Sequence, residues 1–340
     1  MFMKKALVTI IGGGSFGTAL ANIAARNGYR VQFWMRNAEQ VEDITQNRVN
    51  SRYMPNYRLN SRITATSDLA SAVTKANVIF IAVPSASFRG VLQQMKPHLN
   101  SQQILISTTK GIEAETFKLM SQILQEETGS DLVGVLSGPN LAKEIAKRAI
   151  TGSVVASQST VVIETIKQVL TSDSFRVYAN SDMYGVELGG ALKNIYAIAA
   201  GLGAALRMGE NTRSMLITRS LAEMSRFAVH MGANPLTFLG LAGVGDLVAT
   251  CMSPLSRNYR VGFTLGRGLS LEDAIAELGE VAEGVNTLKL VKQKADELNV
   301  TMPIVTGLYE IVFNKGVVKE VVKRLMLAEQ TTDVEFVLPR

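Results

Sequence analysis

The sequence is poor in the residues that most often announce a chemistry. It holds one cysteine, Cys251, among 340 residues. That excludes a disulfide framework, and no Cys/His grouping has the spacing of a zinc site. Two histidines, His98 and His230, leave little from which to build a His-based metal centre or a Ser-His-Asp triad. Aromatic residues make up only 6% and are not interleaved with the basic ones, as a single-strand nucleic-acid groove requires. The most apolar interior stretch, 195–206, is too short for a bilayer, which needs roughly 20 residues of helix. At the start, Lys4-Lys5 precede an apolar run over 6–11 that is too short for a signal-peptide core, and no small-residue cleavage site follows. The expectation is a soluble cytoplasmic protein with no metal, no nucleic-acid partner and no membrane insertion.

What is present is a globular balance, 47% hydrophobic and 19% charged. The length suggests about two domains at roughly 150 residues each. No proline-rich linker separates the halves, so they are expected to pack around a shared cleft. The net charge of +6 and the pI near 9.3 suit an anionic partner, such as a phosphorylated small molecule, without identifying one.

The first half alternates strand and helix. Residues 6–11 read as a strand buried on both faces, running straight into Gly12-Gly13-Gly14-Ser15-Phe16-Gly17. A small-residue helix over 18–27 follows, stopped by Gly28, and then a strand over 30–35. Gly12, Gly14 and Gly17 match G-x-G-x-x-G in its strand–turn–helix setting. Gly12 allows the tight turn, Gly14 lets backbone approach a pyrophosphate, and Gly17 lets helix lie close to strand. The free N–H groups of the helix start then face the phosphates. At the end of the second strand stands Arg36, where NAD-specific sites place an acidic residue. Arginine suits the 2′-phosphate of NADP, so NADPH is favoured over NADH; the alternative is a solvated strand-end charge.

Further strands are expected over 63–66, 77–83, 103–107, 132–136, 153–156 and 175–178. Helices are expected over 67–74, 87–96, 115–127 and 160–170, with another from 141. This alternation predicts a mostly parallel, doubly wound sheet. Lys110, Pro84 and Ser137-Gly138-Pro139-Asn140 fall at strand carboxyl ends, the rim where such sheets bind ligands. Lys110 there is either an anion ligand or a solvent-facing loop lysine.

After Asn180 the strand signals stop. A long small-residue helix is expected over 181–206, another over 213–231, and a broken helix or loop over 236–250 holding Asp246. Ser270 and Asp273 read as a helix start, and further helices are expected over 286–298, 304–313 and 317–327. The tail from Thr331 has little helical character. Lys193-Asn194 interrupts an apolar, small-residue run. Lys193 is therefore either buried, where desolvation suits an amine to proton transfer, or snorkelling at the helix edge. Asp246 lies in a glycine-rich segment and is either chemical or a helix cap. Ser256-Arg257-Asn258 is a donor cluster suited to phosphate, or a solvated loop.

Taken in order, these segments resemble the bacterial-type NAD(P)-dependent glycerol-3-phosphate dehydrogenases. The resemblance rests on 12–21, Thr109-Lys110-Gly111-Ile112-Glu113, Ser137-Gly138-Pro139, 187–194, Gly243-Val244-Gly245-Asp246-Leu247 and Ser256-Arg257-Asn258. It implies a Rossmann NAD(P)-binding domain over 1–182 and an all-α substrate domain over 183–340. It implies Lys193 as proton donor and acceptor, and a substrate site of Lys110, Gly138, Asn140, Lys193, Asp246, Ser256, Arg257 and Asn258. Besides the glycines, Ser15, Phe16, Arg36, Lys110, Ala142, Arg257, Val281 and Glu283 would touch NADP or NAD. It also implies a homodimer making sn-glycerol 3-phosphate for phospholipids. Phe16 stands where many relatives carry Trp, and Asn140 where they often carry Ser or Thr. Two other readings share the pattern: a hydroxyacid or ketopantoate-type reductase of the same layout, and a non-catalytic dinucleotide sensor.

Overall fold

The structure, a computed structural model, describes residues 6–279 and 282–328. Val281 and the tail from Thr331 lie outside the described residues. The chain divides into two compact units, Met1–Glu187 and Leu188–Arg340.

The first unit is built on β1 (Leu7–Ile11), α1 (Ser15–Arg26), β2 (Arg30–Trp34), α2 (Ala38–Asn47), β3 (Val49–Asn50), β4 (Met54–Arg58) and β5 (Ile63–Thr66). It continues through α3 (Leu69–Thr74), β6 (Val78–Ile81), α4 (Ser85–Met95), β7 (Ile104–Ser107), α5 (Met120–Thr128), β8 (Val133–Ser137), α6 (Ala142–Ala146), β9 (Thr151–Ala156), α7 (Thr160–Leu170) and β10 (Phe175–Asn180). Eight strands form one sheet in the order β10-β9-β8-β7-β6-β1-β2-β5. The β1–β2, β1–β6, β6–β7 and β7–β8 pairs are parallel. The exception is β8–β9, which is antiparallel. Only the five-residue α6 lies between these two strands, so the chain turns back instead of crossing over.

The unbroken apolar strands are explained by burial on both faces. Val78 and Phe80 join a core with Leu20 of α1 and Ile166 of α7. Ile79 and Ile81 join a second core with Phe88 of α4 and Ile123 of α5. Sequence order reverses between β1 and β6, and that crevice is the ligand site of an open α/β sheet. The expected helix over 115–127 begins only at Met120. Phe117 takes a left-handed backbone (φ 59), and an Ile112–Leu119 bridge precedes the helix.

The second unit is helical: α8 (Met183–Ala205, which starts in the first unit), α9 (Glu210–His230), α10 (Asp246–Cys251), α11 (Arg257–Gly266), α12 (Leu271–Leu278), α13 (Glu283–Glu297), α14 (Pro303–Phe313) and α15 (Val318–Leu327). The expected broken helix over 236–250 is a 3-10 turn, Pro235–Leu239, a π turn, Leu241–Gly245, and then α10. Ser270 and Asp273 form the expected capping box of α12. Helices α8 and α11 cross with backbone in direct contact. A Cβ on Gly201 would lie 1.9 Å from the Tyr259 carbonyl oxygen, and one on Gly262 would lie 1.8 Å from that of Ile198.

Buried Glu223 of α9 accepts the backbone N–H groups of Ile304 and Val305, closing the start of α14, and the Tyr196 hydroxyl donates to it. Burial pushes its carboxyl up from 4.5 to about 7. The folded state therefore holds a proton that the unfolded chain releases near pH 4.5. The stability this contributes is full below that pH and is lost as pH rises through about 7, at about 1.4 kcal/mol per pH unit at most. Glu223→Gln should shrink the fall in melting temperature between pH 5 and pH 7. Melting curves at the two pH values check this, and an unchanged slope rejects it.

Candidate active site

In the first unit the glycine loop leaves the carboxyl end of β1. Gly12 has φ +122°, and a Cβ there would lie 2.5 Å from the Ala82 carbonyl oxygen, at the end of the neighbouring β6. Gly17 brings α1 down onto the loop, because a Cβ there would lie 2.1 Å from the Gly12 carbonyl oxygen. Gly14 differs. It occupies the N-cap of α1 without a side-chain cap, and among the described residues outside its own neighbourhood no atom lies within 4 Å of where its Cβ would stand. Two glycines are thus filled by protein and the third faces open space at a helix N-terminus. This cradle fits a pyrophosphate. Ser15 and Phe16, half-buried in the first turn of α1, flank it, and Phe16 packs on the first core.

Arg36 is exposed at the end of β2, just before Asn37 caps α2. Lys110, half-buried beyond β7, donates from Nζ to the Gly138 carbonyl at 2.8 Å. It is therefore not a loop lysine directed only to solvent. Gly138 has φ +118°. Asn140 is committed locally: its Nδ2 donates to the Gly152 carbonyl at 3.3 Å and its Oδ1 accepts from Ser153 at 2.9 Å. Ala142 is half-buried at the start of α6.

In the second unit Lys193 is 7% exposed and Asp246 1%. The Lys193 ammonium donates to Asp246 Oδ1 at 2.5 Å and to Thr250 Oγ1 at 2.6 Å. Of the two readings open for Lys193, burial is what the fold adopts. Asp246 lies in the first turn of α10 but directs its carboxylate at the amine of α8. Thr250 is one turn further along α10 and completes the grip. No motif marks it; the only available signal is its i,i+4 spacing from Asp246. Cys251, next along the helix, is buried, and burial pushes its thiol up to about 12, so it is no thiolate nucleophile.

Ser256-Arg257-Asn258 is not a solvated loop. Ser256 caps α11, its Oγ accepting the Tyr259 N–H at 3.3 Å, and Arg257 and Asn258 form the first turn. Arg257 is exposed, whereas Asn258 is buried and accepts the Gly284 N–H at 2.9 Å. A Cβ on Gly284 would stand 2.6 Å from the Asn194 carbonyl oxygen. The start of α13, with half-buried Glu283, is thereby held against both α8 and α11. Val281 lies outside the described residues. Among the described residues no group of three or more His, Cys, Asp or Glu side chains could hold a metal, and no helix is long and apolar enough to cross a membrane.

Comparison with known proteins matches both halves. Residues 7–162 match the NAD-dependent glycerol-3-phosphate dehydrogenase N-terminus, and residues 182–323 match the corresponding C-terminus. The glycerol-3-phosphate dehydrogenase [NAD(P)+] of Azotobacter vinelandii is 56% identical over 330 residues, covering 97% of each chain. The crystal structure of the Coxiella burnetii glycerol-3-phosphate dehydrogenase superposes with a TM-score of 0.91 at 36% identity, covering 96% of this chain and 100% of that one. A ketopantoate reductase from Ralstonia eutropha is 16% identical with a TM-score of 0.58, a likeness of fold alone. The chain belongs to the NAD-dependent glycerol-3-phosphate dehydrogenase family.

Proposed function

We propose that this chain is an NAD(P)-dependent sn-glycerol-3-phosphate dehydrogenase, reducing dihydroxyacetone phosphate reversibly to sn-glycerol 3-phosphate, the backbone of phospholipids. The observation that carries the reading is the buried ammonium of Lys193 held between Asp246 and Thr250, in a chain matching this family over nearly its whole length.

The bound dinucleotide supplies or takes up a hydride at its nicotinamide ring. All other steps fall to the chain's own residues. In reduction, Lys193 gives a proton from Nζ to the C2 oxygen as the alkoxide forms; in oxidation, the neutral amine takes it back. Asp246 and Thr250 fix where that proton points. Asp246 accepts from the amine, so its part in the substrate site is to aim Lys193. Arg257, with the first-turn N–H groups of α11 and with Ser256 and Asn258, grips the phosphate. Lys110, Gly138 and Asn140 form the substrate rim of the first unit.

Gly12, Gly14, Ser15, Phe16 and Gly17 would hold the dinucleotide, with Ala142 as a further contact. The family resemblance adds Lys110, Arg257, Val281 and Glu283 as residues that would contact it, and Arg36 would meet the 2′-phosphate. The two domains take these roles over 1–182 and 183–340. The cytoplasmic location and the homodimer rest on the family alone; a dimer would show twice the 36.8 kDa of one chain in solution.

The direct test is loss of NADPH absorbance when dihydroxyacetone phosphate is added, with ketopantoate as control. Turnover of ketopantoate alone rejects the reading. For cofactor choice, Arg36→Asp should weaken NADPH binding roughly 10- to 100-fold more than NADH, the range for losing a charge-assisted contact. Equal losses, measured by titrating each dinucleotide, reject the 2′-phosphate role.

A further inference from the structure

Strands β3 and β4 take no part in the main sheet and pair only with each other. Met54 and Tyr57 of β4 join the first core with residues of α1, and polar bonds tie the pair to that helix as well. Asn22 donates from Nδ2 to the Arg58 carbonyl at 3.2 Å and accepts the Asn60 N–H at 2.8 Å. One helical turn earlier, Thr18 Oγ1 accepts from Asn50 Nδ2 at 2.8 Å and donates to the Gly14 carbonyl at 2.8 Å.

Asn50, at 0% exposure, also reaches the glycine loop itself. Its Nδ2 donates to the Gly13 carbonyl at 2.9 Å, and Gln40 Nε2 of α2 donates to the same oxygen at 2.6 Å. Gln40 Nε2 also donates to Asn50 Oδ1 at 2.9 Å. Both lone pairs of one loop carbonyl are thereby filled.

Gly12, Gly13 and Gly14 are consecutive, so no side chain within the turn resists rotation of the Gly13 peptide. If that peptide turned over, a carbonyl would face the pyrophosphate where N–H groups are needed. The restraint must come from outside the loop. We infer that Asn50 is a positioning residue for dinucleotide binding: with Gln40 it locks the Gly13 peptide so that the following N–H groups face the phosphates. This rests on the dinucleotide-binding function proposed above. An apolar side chain could cover α1, but only a hydrogen-bond donor can hold this carbonyl, and here the donor is the Asn50 amide. Turning the Asn50 amide over would set oxygen against oxygen.

The test is Asn50→Asp, which keeps the shape and removes the donor. NADPH and NADH are titrated by nucleotide fluorescence without substrate. The dissociation constants of both should rise about tenfold, the loss expected for a buried carbonyl facing a carboxylate. At saturating dinucleotide, kcat and the KM for dihydroxyacetone phosphate should stay within about twofold, a split that general loosening of the fold would not give. Affinities within about twofold of the parent in a folded variant overturn the inference, as does a loss confined to NADPH. If Asn50→Asp does not fold, Gln40→Met carries the test: half-buried Gln40 loses one of the two donors, and affinity should fall about threefold for both dinucleotides. No change overturns the inference. A parent that binds neither dinucleotide overturns the function proposed above; a parent that binds with unaffected variants overturns only the role of Asn50.

Discussion

Lys193→Met should lower kcat by ~10²–10⁴ while leaving NADPH affinity close to the parent's. A positioned acid or base is worth that range, and methionine keeps the length of the side chain without an exchangeable proton. Dinucleotide affinity is spared because the glycine cradle belongs to the first unit, whereas Lys193 is buried in the second. Single-turnover kinetics separate the two quantities. A variant turning over within about fivefold of the parent would show that the proton comes from elsewhere, since that loss is far below what general acid catalysis supplies.

The second large effect concerns stability as well as rate. Asp246→Ala leaves a buried ammonium without its counter-charge, with the neutral Thr250 hydroxyl still accepting from it. Breaking a buried ion pair from one side destabilises by about 3–5 kcal/mol. In a unit of this size that lowers the melting temperature by roughly 6–20 °C. The companion variant sharpens the point. Replacing both partners with apolar residues, as in Lys193→Met with Asp246→Leu, should recover most of the lost stability but none of the turnover. If Asp246→Ala melts with the parent, the pair is not the buried contact described here. If the double variant is the least stable of the set, packing and not charge governs the site.

Legibility of the fold in the sequence followed local pattern. Strands β1, β6, β7 and β8 could be read because burial on both faces forces continuous apolar runs, and the glycine loop because its spacing is dictated by one turn. The stretch containing α2, β3 and β4 could not. In α2 only Ile44 is fully buried, and β3 is two residues long with an irregular register against β4. Without a strong period, nothing in the local sequence marks them. The start of α5 differs from the expected one because the residues before it suit a helix, while the fold places Phe117 in a left-handed turn.

At the site, Lys193 and Asp246 stood out as charges in apolar company, yet their bond spans 53 residues of sequence and no local pattern pairs them. Thr250, Gln40 and Asn50 were invisible for the same reason. Their importance lies in partners supplied by the fold, and each is an ordinary polar residue on its own. Ser256 was ambiguous because a helix cap and a loop hydroxyl look alike until the helix behind it is known.

The glycine-to-backbone crossing of α8 and α11 has a bearing on redesign. Lys193 rides on one of these helices and Arg257 starts the other, so the spacing between the proposed proton source and the proposed phosphate grip is set by two missing methyl groups, at Gly201 and Gly262. Such a joint has no slack to absorb. An engineer seeking a longer or shorter phosphorylated ketone could redecorate the exposed side chains freely, but would have to rebuild this hinge-free weld to change the molecular ruler it imposes.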